Sequence, residues 1–219
     1  MTAAAATCLF VDIGGVLLTN GWDHRSRQRA AKQFQLDYRE LEERHKAVFN
    51  DFELGKLTLE QYLTRVIFNQ QRSFTRPEFR RFMYAQSLPL PGMIPLISRL
   101  KASHHLKVVA VSNESRELNA RRIRTFRLAS VIDFFVSSCF VKLRKPDPDI
   151  FRLALDMAQV RPEEVVYLDN TEEFVHIGEG LGIRSLLHSG YRSTCAGLDV
   201  WGLRCDARSL SRDPQAITG

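Results

Sequence analysis

Short runs of consecutive apolar residues alternate along the chain with longer stretches in which apolar positions recur every three or four residues. The short runs are Thr7 to Val11, Lys107 to Val111, Asp133 to Ser137, Glu164 to Leu168 and Ile183 to Leu187, all rich in Val, Ile, Leu or Phe. Such runs fit strands buried on both faces. Strands alternating with amphipathic helices predict a parallel sheet joined by right-handed helical crossovers. The expected fold class is therefore α/β, a Rossmann-like three-layer sandwich.

Residues 12–106, between the first two runs, are far more than one crossover helix requires, so an insertion is expected there. Residues 20–88 read as helices, over Asp23 to Gln35, Tyr38 to Phe52, Leu59 to Phe68 and Pro77 to Gln86. Thr58 and Gln61 form a capping-box pattern at the start of the third. Pro89 and Pro91, with Gly92, restrict the backbone at the return to the sheet. The expected division is a core of residues 1–19 and 89–219 with a small helical cap of residues 20–88. A further helix is expected from Asp147, whose carboxylate can cap it with Pro148 in the first turn. Its apolar residues Ile150, Phe151, Leu153, Ala154, Leu155 and Ala158 should face the sheet. Gly178, Gly180 and Gly182 end the next helix, and the tail from Ser189 receives no assignment.

Composition narrows the class. At 219 residues, 44% hydrophobic and 26% charged, the chain is an ordinary globular one with no disorder signature. Its net charge of +6 lies in arginine patches such as Arg25, Arg27 and Arg29, or Arg121, Arg122, Arg124 and Arg127. Ile123, Phe126 and Leu128 interleave with the latter, so those patches read as solvated helix faces rather than a nucleic-acid surface. Positive charge also suits small anionic substrates. No stretch approaches the roughly 20 apolar residues that span a bilayer. The opening residues lack a basic n-region, and the four cysteines, Cys8, Cys139, Cys195 and Cys205, lack any CxxC spacing. Free thiols and a cytoplasmic setting are expected.

In an open parallel sheet, ligands bind outside the carboxyl ends of the strands. The polar residues following the apolar runs are Asp12, then Ser112 and Asn113, then Asp169 and Asn170, with Lys145 in the loop after the third. They combine a carboxylate nucleophile, hydroxyl and amide donors for phosphate oxygens, a cation and a further carboxylate. That set suits phosphoryl transfer through an aspartyl-phosphate, with a magnesium ion letting an anion approach an anion.

The stretch from Phe10 to Leu17, the Val111, Ser112, Asn113 run, the Lys145, Pro146, Asp147, Pro148 run and the Tyr167, Leu168, Asp169, Asn170 run resemble, in order and spacing, the four motifs of the haloacid dehalogenase-like superfamily. The resemblance covers about residues 8–188 and places the insertion where that superfamily carries a helical cap. It implies Asp12 as nucleophile, Ser112 and Lys145 as phosphate ligands, and Mg2+ held by Asp12, the Gly14 carbonyl, Asp169 and Asn170. A small phosphorylated metabolite is the implied substrate.

Two positions depart from the pattern. Phosphatases of the superfamily usually place an acid/base aspartate where this chain has Gly14, and general acid–base catalysis contributes about 10² to 10⁴ in rate, or ~3 to 5 kcal/mol. Substrates with good leaving groups, such as acyl, aryl or anomeric sugar phosphates, should therefore be preferred. Asn170 replaces a common carboxylate, which should weaken magnesium binding. Two other functions stay open: a metal-independent haloacid dehalogenase, and a binding or regulatory protein without turnover.

Overall fold

In a computed structural model that describes residues 5–205, β1 (Cys8–Val11), β2 (Lys107–Ser112), β3 (Phe134–Ser137), β4 (Val165–Asp169) and β5 (Arg184–Leu187) form one parallel sheet in the order β3-β2-β1-β4-β5. All five sequence runs are strands, with ends moved by one residue at most. The order reverses at β1, which lies between β2 and β4 and so has its carboxyl end at the centre of the rim.

Residues alternate across the sheet, and each face has its own core. Leu9, Val11, Val108, Ala110, Val166 and Leu168 point to one side, where they meet α5 (Met93–His104) and α10 (Tyr191–Val200). Cys8, Phe10, Val109, Val111 and Tyr167 point to the other, against α8 (Asp149–Ala158). The layered α/β expectation holds, and α10 gives structure to a tail the sequence left unassigned. Helix α8 starts later than its sequence suggested: Pro148 precedes it, and Asp147 Oδ1 accepts from the Asp149 N–H at 2.9 Å. No helix among the described residues is long and apolar enough to cross a membrane.

Between β1 and α5 run α1 (His24–Phe34), α2 (Tyr38–Glu53), α3 (Leu59–Val66) and α4 (Arg76–Ala85). They share an apolar cluster of their own, including Phe52, Tyr62, Leu63, Ile67 and Phe79. The Thr58–Gln61 capping box forms, and a second joins Thr75 to Glu78. We propose that this helical insertion is the cap; the segments into and out of it lie side by side: the Thr19 N–H donates to the Leu88 carbonyl at 2.8 Å, Thr19 Oγ1 to the Gln86 carbonyl at 2.6 Å, and the Leu88 N–H to Thr19 Oγ1 at 3.0 Å.

The cap sits down on the core through polar contacts. Ser138, at the start of α7 (Ser138–Val141), donates its hydroxyl to the Glu53 carbonyl at 2.7 Å, and Lys142 Nζ reaches the Leu54 and Gly55 carbonyls at 2.7 and 3.0 Å. Leu59 N–H bonds Glu117 at 3.1 Å, on α6 (Arg116–Thr125). Two arginines read as solvated are in fact buried. Arg27 pairs with Glu42 and Arg122 with Glu114. The arginine spacing was compatible with a wet face, but the partner carboxylates come from other elements.

Candidate active site

The carboxyl ends of β1, β2 and β4 bring Asp12, Ser112 and Asp169 together, because these strands are neighbours in the sheet. Lys145, in the loop between α7 and α8, is wholly buried and lies between the two carboxylates. Its Nζ is 3.3 Å from Asp12 Oδ1 and 2.5 Å from Asp169 Oδ2, and it donates to Tyr167 Oη at 3.1 Å. The Tyr167 hydroxyl in turn donates to Asp169 Oδ2, and the Thr171 N–H donates to Asp169 Oδ1 at 2.8 Å. Asp12 Oδ1 also accepts from the Ile13 N–H at 2.8 Å. Oδ2 makes no hydrogen bond to the described residues.

Asn113 has a structural job that its sequence did not suggest. Its Nδ2 donates to the Lys145 carbonyl at 2.8 Å and its Oδ1 accepts from the Lys145 N–H at 2.9 Å. The side chain thus fixes the lysine loop to the end of β2. Nor do Ser112 and Asn113 cap α6, whose N-cap is Ser115. Ser112 Oγ is buried with no hydrogen-bond partner, the state expected of a donor that awaits a ligand.

Gly15 explains the place of Asn170. A Cβ on Gly15 would come within 2.3 to 2.5 Å of the Asn170 carboxamide, and Gly15 has φ of +79°. Only glycine lets the amide lie against the loop that carries Asp12 and the Gly14 carbonyl. Among the described residues, no three His, Cys, Asp or Glu side chains are grouped to hold a metal. A cation here would take two carboxylates with neutral amide and carbonyl oxygens, a donor set that fits a hard divalent ion such as magnesium.

Burial pushes the Asp12 carboxyl up to about 6, aided by the charges of Asp169 and Glu114 and only partly opposed by the Lys145 charge. Burial alone would lower the Lys145 ammonium, but Asp12 and Asp169 outweigh it and raise its pKa. Burial also holds the Tyr167 phenol far above its usual range, so it keeps the proton it donates.

A cavity of about 470 Å³ opens over Asp12 between core and cap. Asn20, Gly21, Trp22 and Asp23 reach it. Three ion pairs line it: Arg27–Glu42 within the cap, Arg144–Glu53 between core and cap at 2.8 Å, and Arg122–Glu114 on the core. Arg122 also bonds the Thr19 carbonyl and, at 3.1 Å, Ser87 Oγ, so it touches both cap linkers. Where Gly14 lacks a side chain, a Cβ would stand 3.6 Å from Arg122 Nη1 and 3.5 Å from Asn20 Oδ1. These arginines and Glu114 were not singled out as site residues in the sequence. The one signal was the position of Glu114 two residues past Ser112.

The chain matches the haloacid dehalogenase-like hydrolase family over residues 6–173. It belongs to that family. Among its relatives are the bifunctional epoxide hydrolase 2 of Sus scrofa, 33% identical over 34% of this chain and 14% of that one, and the phosphorylated carbohydrates phosphatase of Thermotoga maritima, 30% identical over 44% of each. A (S)-2-haloacid dehalogenase 1 of Pseudomonas is 28% identical over 40% of this chain and 38% of the other. These alignments span less than half the length of each relative. The fold of this haloacid dehalogenase-like hydrolase is shared with a family enzyme of Bacteroides thetaiotaomicron solved as an Asp-to-Ala mutant with magnesium and inorganic phosphate, at a TM-score of 0.70, 20% identity and coverage of 85% and 95%.

Proposed function

We propose that this haloacid dehalogenase-like hydrolase is a magnesium-dependent phosphatase of small phosphorylated metabolites, with Asp12 as nucleophile. The observation that carries the reading is the rim itself: Lys145 bridges Asp12 and Asp169 beside an unpartnered Ser112 hydroxyl. Two carboxylates against one lysine leave an excess of negative charge, which a divalent cation would balance. The relative named for phosphorylated carbohydrates supports the same class.

In this mechanism Asp12 Oδ2 attacks phosphorus as the ester P–O bond breaks, and the leaving oxygen departs with the electron pair. Lys145, Ser112 Oγ and the Asn113 N–H hold phosphate oxygens, and Asn113 keeps Lys145 in place. Asp12, the Gly14 carbonyl, Asp169 and Asn170 would hold magnesium, whose charge lowers the repulsion between carboxylate and phosphate. Water then attacks the phosphorus of the aspartyl-phosphate, freeing inorganic phosphate and Asp12. Gly14 supplies no proton, so acyl, aryl and anomeric sugar phosphates are the favoured substrates. The cavity volume lies within the ~300 to 1,000 Å³ usual for small-molecule sites.

The test is release of phosphate from a metabolite panel with magnesium, run beside Asp12→Asn. The variant should lose at least about 10³-fold in turnover, and release persisting in it would remove Asp12 from the chemistry. A second reading draws on Gly14 and the dehalogenase relative: displacement of halide from carbon by Asp12 without a metal. Haloacid turnover surviving a chelator would establish it in place of the first.

A further inference from the structure

On the cap wall, buried His45 and Tyr62 and half-buried Trp22 form a chain: Trp22 Nε1 lies 2.7 Å from Tyr62 Oη, which lies 2.8 Å from His45 Nδ1. Indole N–H can only donate, so Tyr62 accepts from Trp22. The Tyr62 side chain is wholly buried and burial pushes its phenol up, so its proton stays and needs an acceptor. His45 Nδ1 is the one within reach among the described residues. An Nδ1 that accepts places the proton of a neutral imidazole on Nε2. Burial, followed by the nearby Arg27 charge, lowers the His45 pKa to about 4, so the ring is uncharged near neutrality. His45 lines the cavity, and its Nε2 has no hydrogen-bond partner among the described residues.

The rest of the wall says what such a donor meets. Each cavity arginine is matched by a glutamate, whereas Lys46, beside His45 on α2, is exposed, lines the same cavity and makes no ion pair among the described residues. Lys46 and His45 are thus an uncommitted cation and an uncommitted neutral donor lining one cavity. We propose that His45 and Lys46 form a specificity site for a carboxylate carried on the leaving group of the phosphate ester, one carboxylate oxygen accepting from His45 Nε2–H and the other facing Lys46. Tyr62 and Trp22 are positioning residues that fix the imidazole. The proposal rests on the phosphatase reading only in taking Asp12 as the reacting end of the cavity.

The probes are 4-carboxyphenyl phosphate and phenyl phosphate, which differ in the carboxylate alone. A single hydrogen bond in a desolvated site is worth about tenfold, so the wild type should favour the carboxylated ester by at least about that factor in kcat/KM. His45→Phe should remove the preference while leaving phenyl phosphate within about twofold, and His45→Gln, which restores a donor, should recover most of it. Equal losses on both esters would mean a merely structural histidine and overturn the proposal. Nitrogen-15 spectra of the wild type should show His45 as the Nε2–H tautomer, and the Nδ1–H tautomer would equally overturn it. In Asp12→Asn protein, which does not turn over, 4-carboxyphenyl phosphate and not phenyl phosphate should shift the His45 Nε2 resonance. If neither ester is hydrolysed but that shift occurs, the phosphatase reading fails and the recognition site stands. If esters are hydrolysed without the shift, the reverse holds.

Discussion

On the proposed phosphatase reading, the absent side chain at residue 14 decides which leaving groups the site can release. A Cβ there would meet Asn20 and Arg122 at 3.5 to 3.7 Å, ordinary contact distances, so the position is open to a larger residue. A carboxylate introduced there would face a guanidinium already paired with Glu114, whose own carboxyl burial raises. Gly14→Asp should therefore fold, and it should raise kcat/KM for alkyl phosphates more than for aryl ones, narrowing their ratio by at least about tenfold out of the 10² to 10⁴ that general acid catalysis supplies. Steady-state kinetics on one ester of each kind checks this, and an unchanged ratio would mean that protonation of the leaving group is not what this site lacks.

At the level of elements, the seating of α2 and α3 on the core depends on a glycine. Gly55, at φ +62°, brings the cap backbone so close to α7 that a Cβ would lie 2.4 Å from the Cys139 carbonyl. Gly55→Ala should cost about 1 to 2 kcal/mol from its left-handed backbone alone and should loosen the Ser138 and Lys142 contacts with the cap. Urea denaturation gives the first, and faster amide exchange near residue 55 the second. Strands and cap helices were legible in the sequence because each depends on a local period, and the capping box at Thr58 is a four-residue signal. Arg122 and Arg27 were not, since a helix pattern reports which side of its own axis is polar and says nothing of a carboxylate brought from elsewhere. Asp12, Ser112 and Asp169 were found by a rule about strand ends and Lys145 by its place in the loop after the third run, and all four meet on the rim. Asn113 obeyed the rule in position, yet its partner is a loop backbone that no spacing specifies.

Over the whole molecule, buried His45 and half-buried Glu53 on α2 tie stability to pH with opposite sign. His45 has its pKa lowered from 6.5 to about 4, so the unfolded chain binds the extra proton between those values and the stability His45 contributes is lost as pH falls through them. Burial raises Glu53 from 4.5 to about 7 despite Arg144, so its contribution is present below 4.5 and lost as pH rises to 7. Each is worth roughly 3 kcal/mol, and between 4.5 and 6.5 they offset. Glu53→Gln should expose a stability that climbs with pH in that window, and His45→Gln one that declines, both read from urea midpoints; parallel curves for the two variants would contradict the assignment. The paired linkers have a consequence for motion. Residues 19 and 86–88 are hydrogen-bonded to each other and share one guanidinium, so the entry and exit of the cap are mechanically a single pivot rather than two. The Thr19 and Leu88 amides should consequently exchange with solvent at one common rate and respond alike to every perturbation, and Arg122→Lys should accelerate both together.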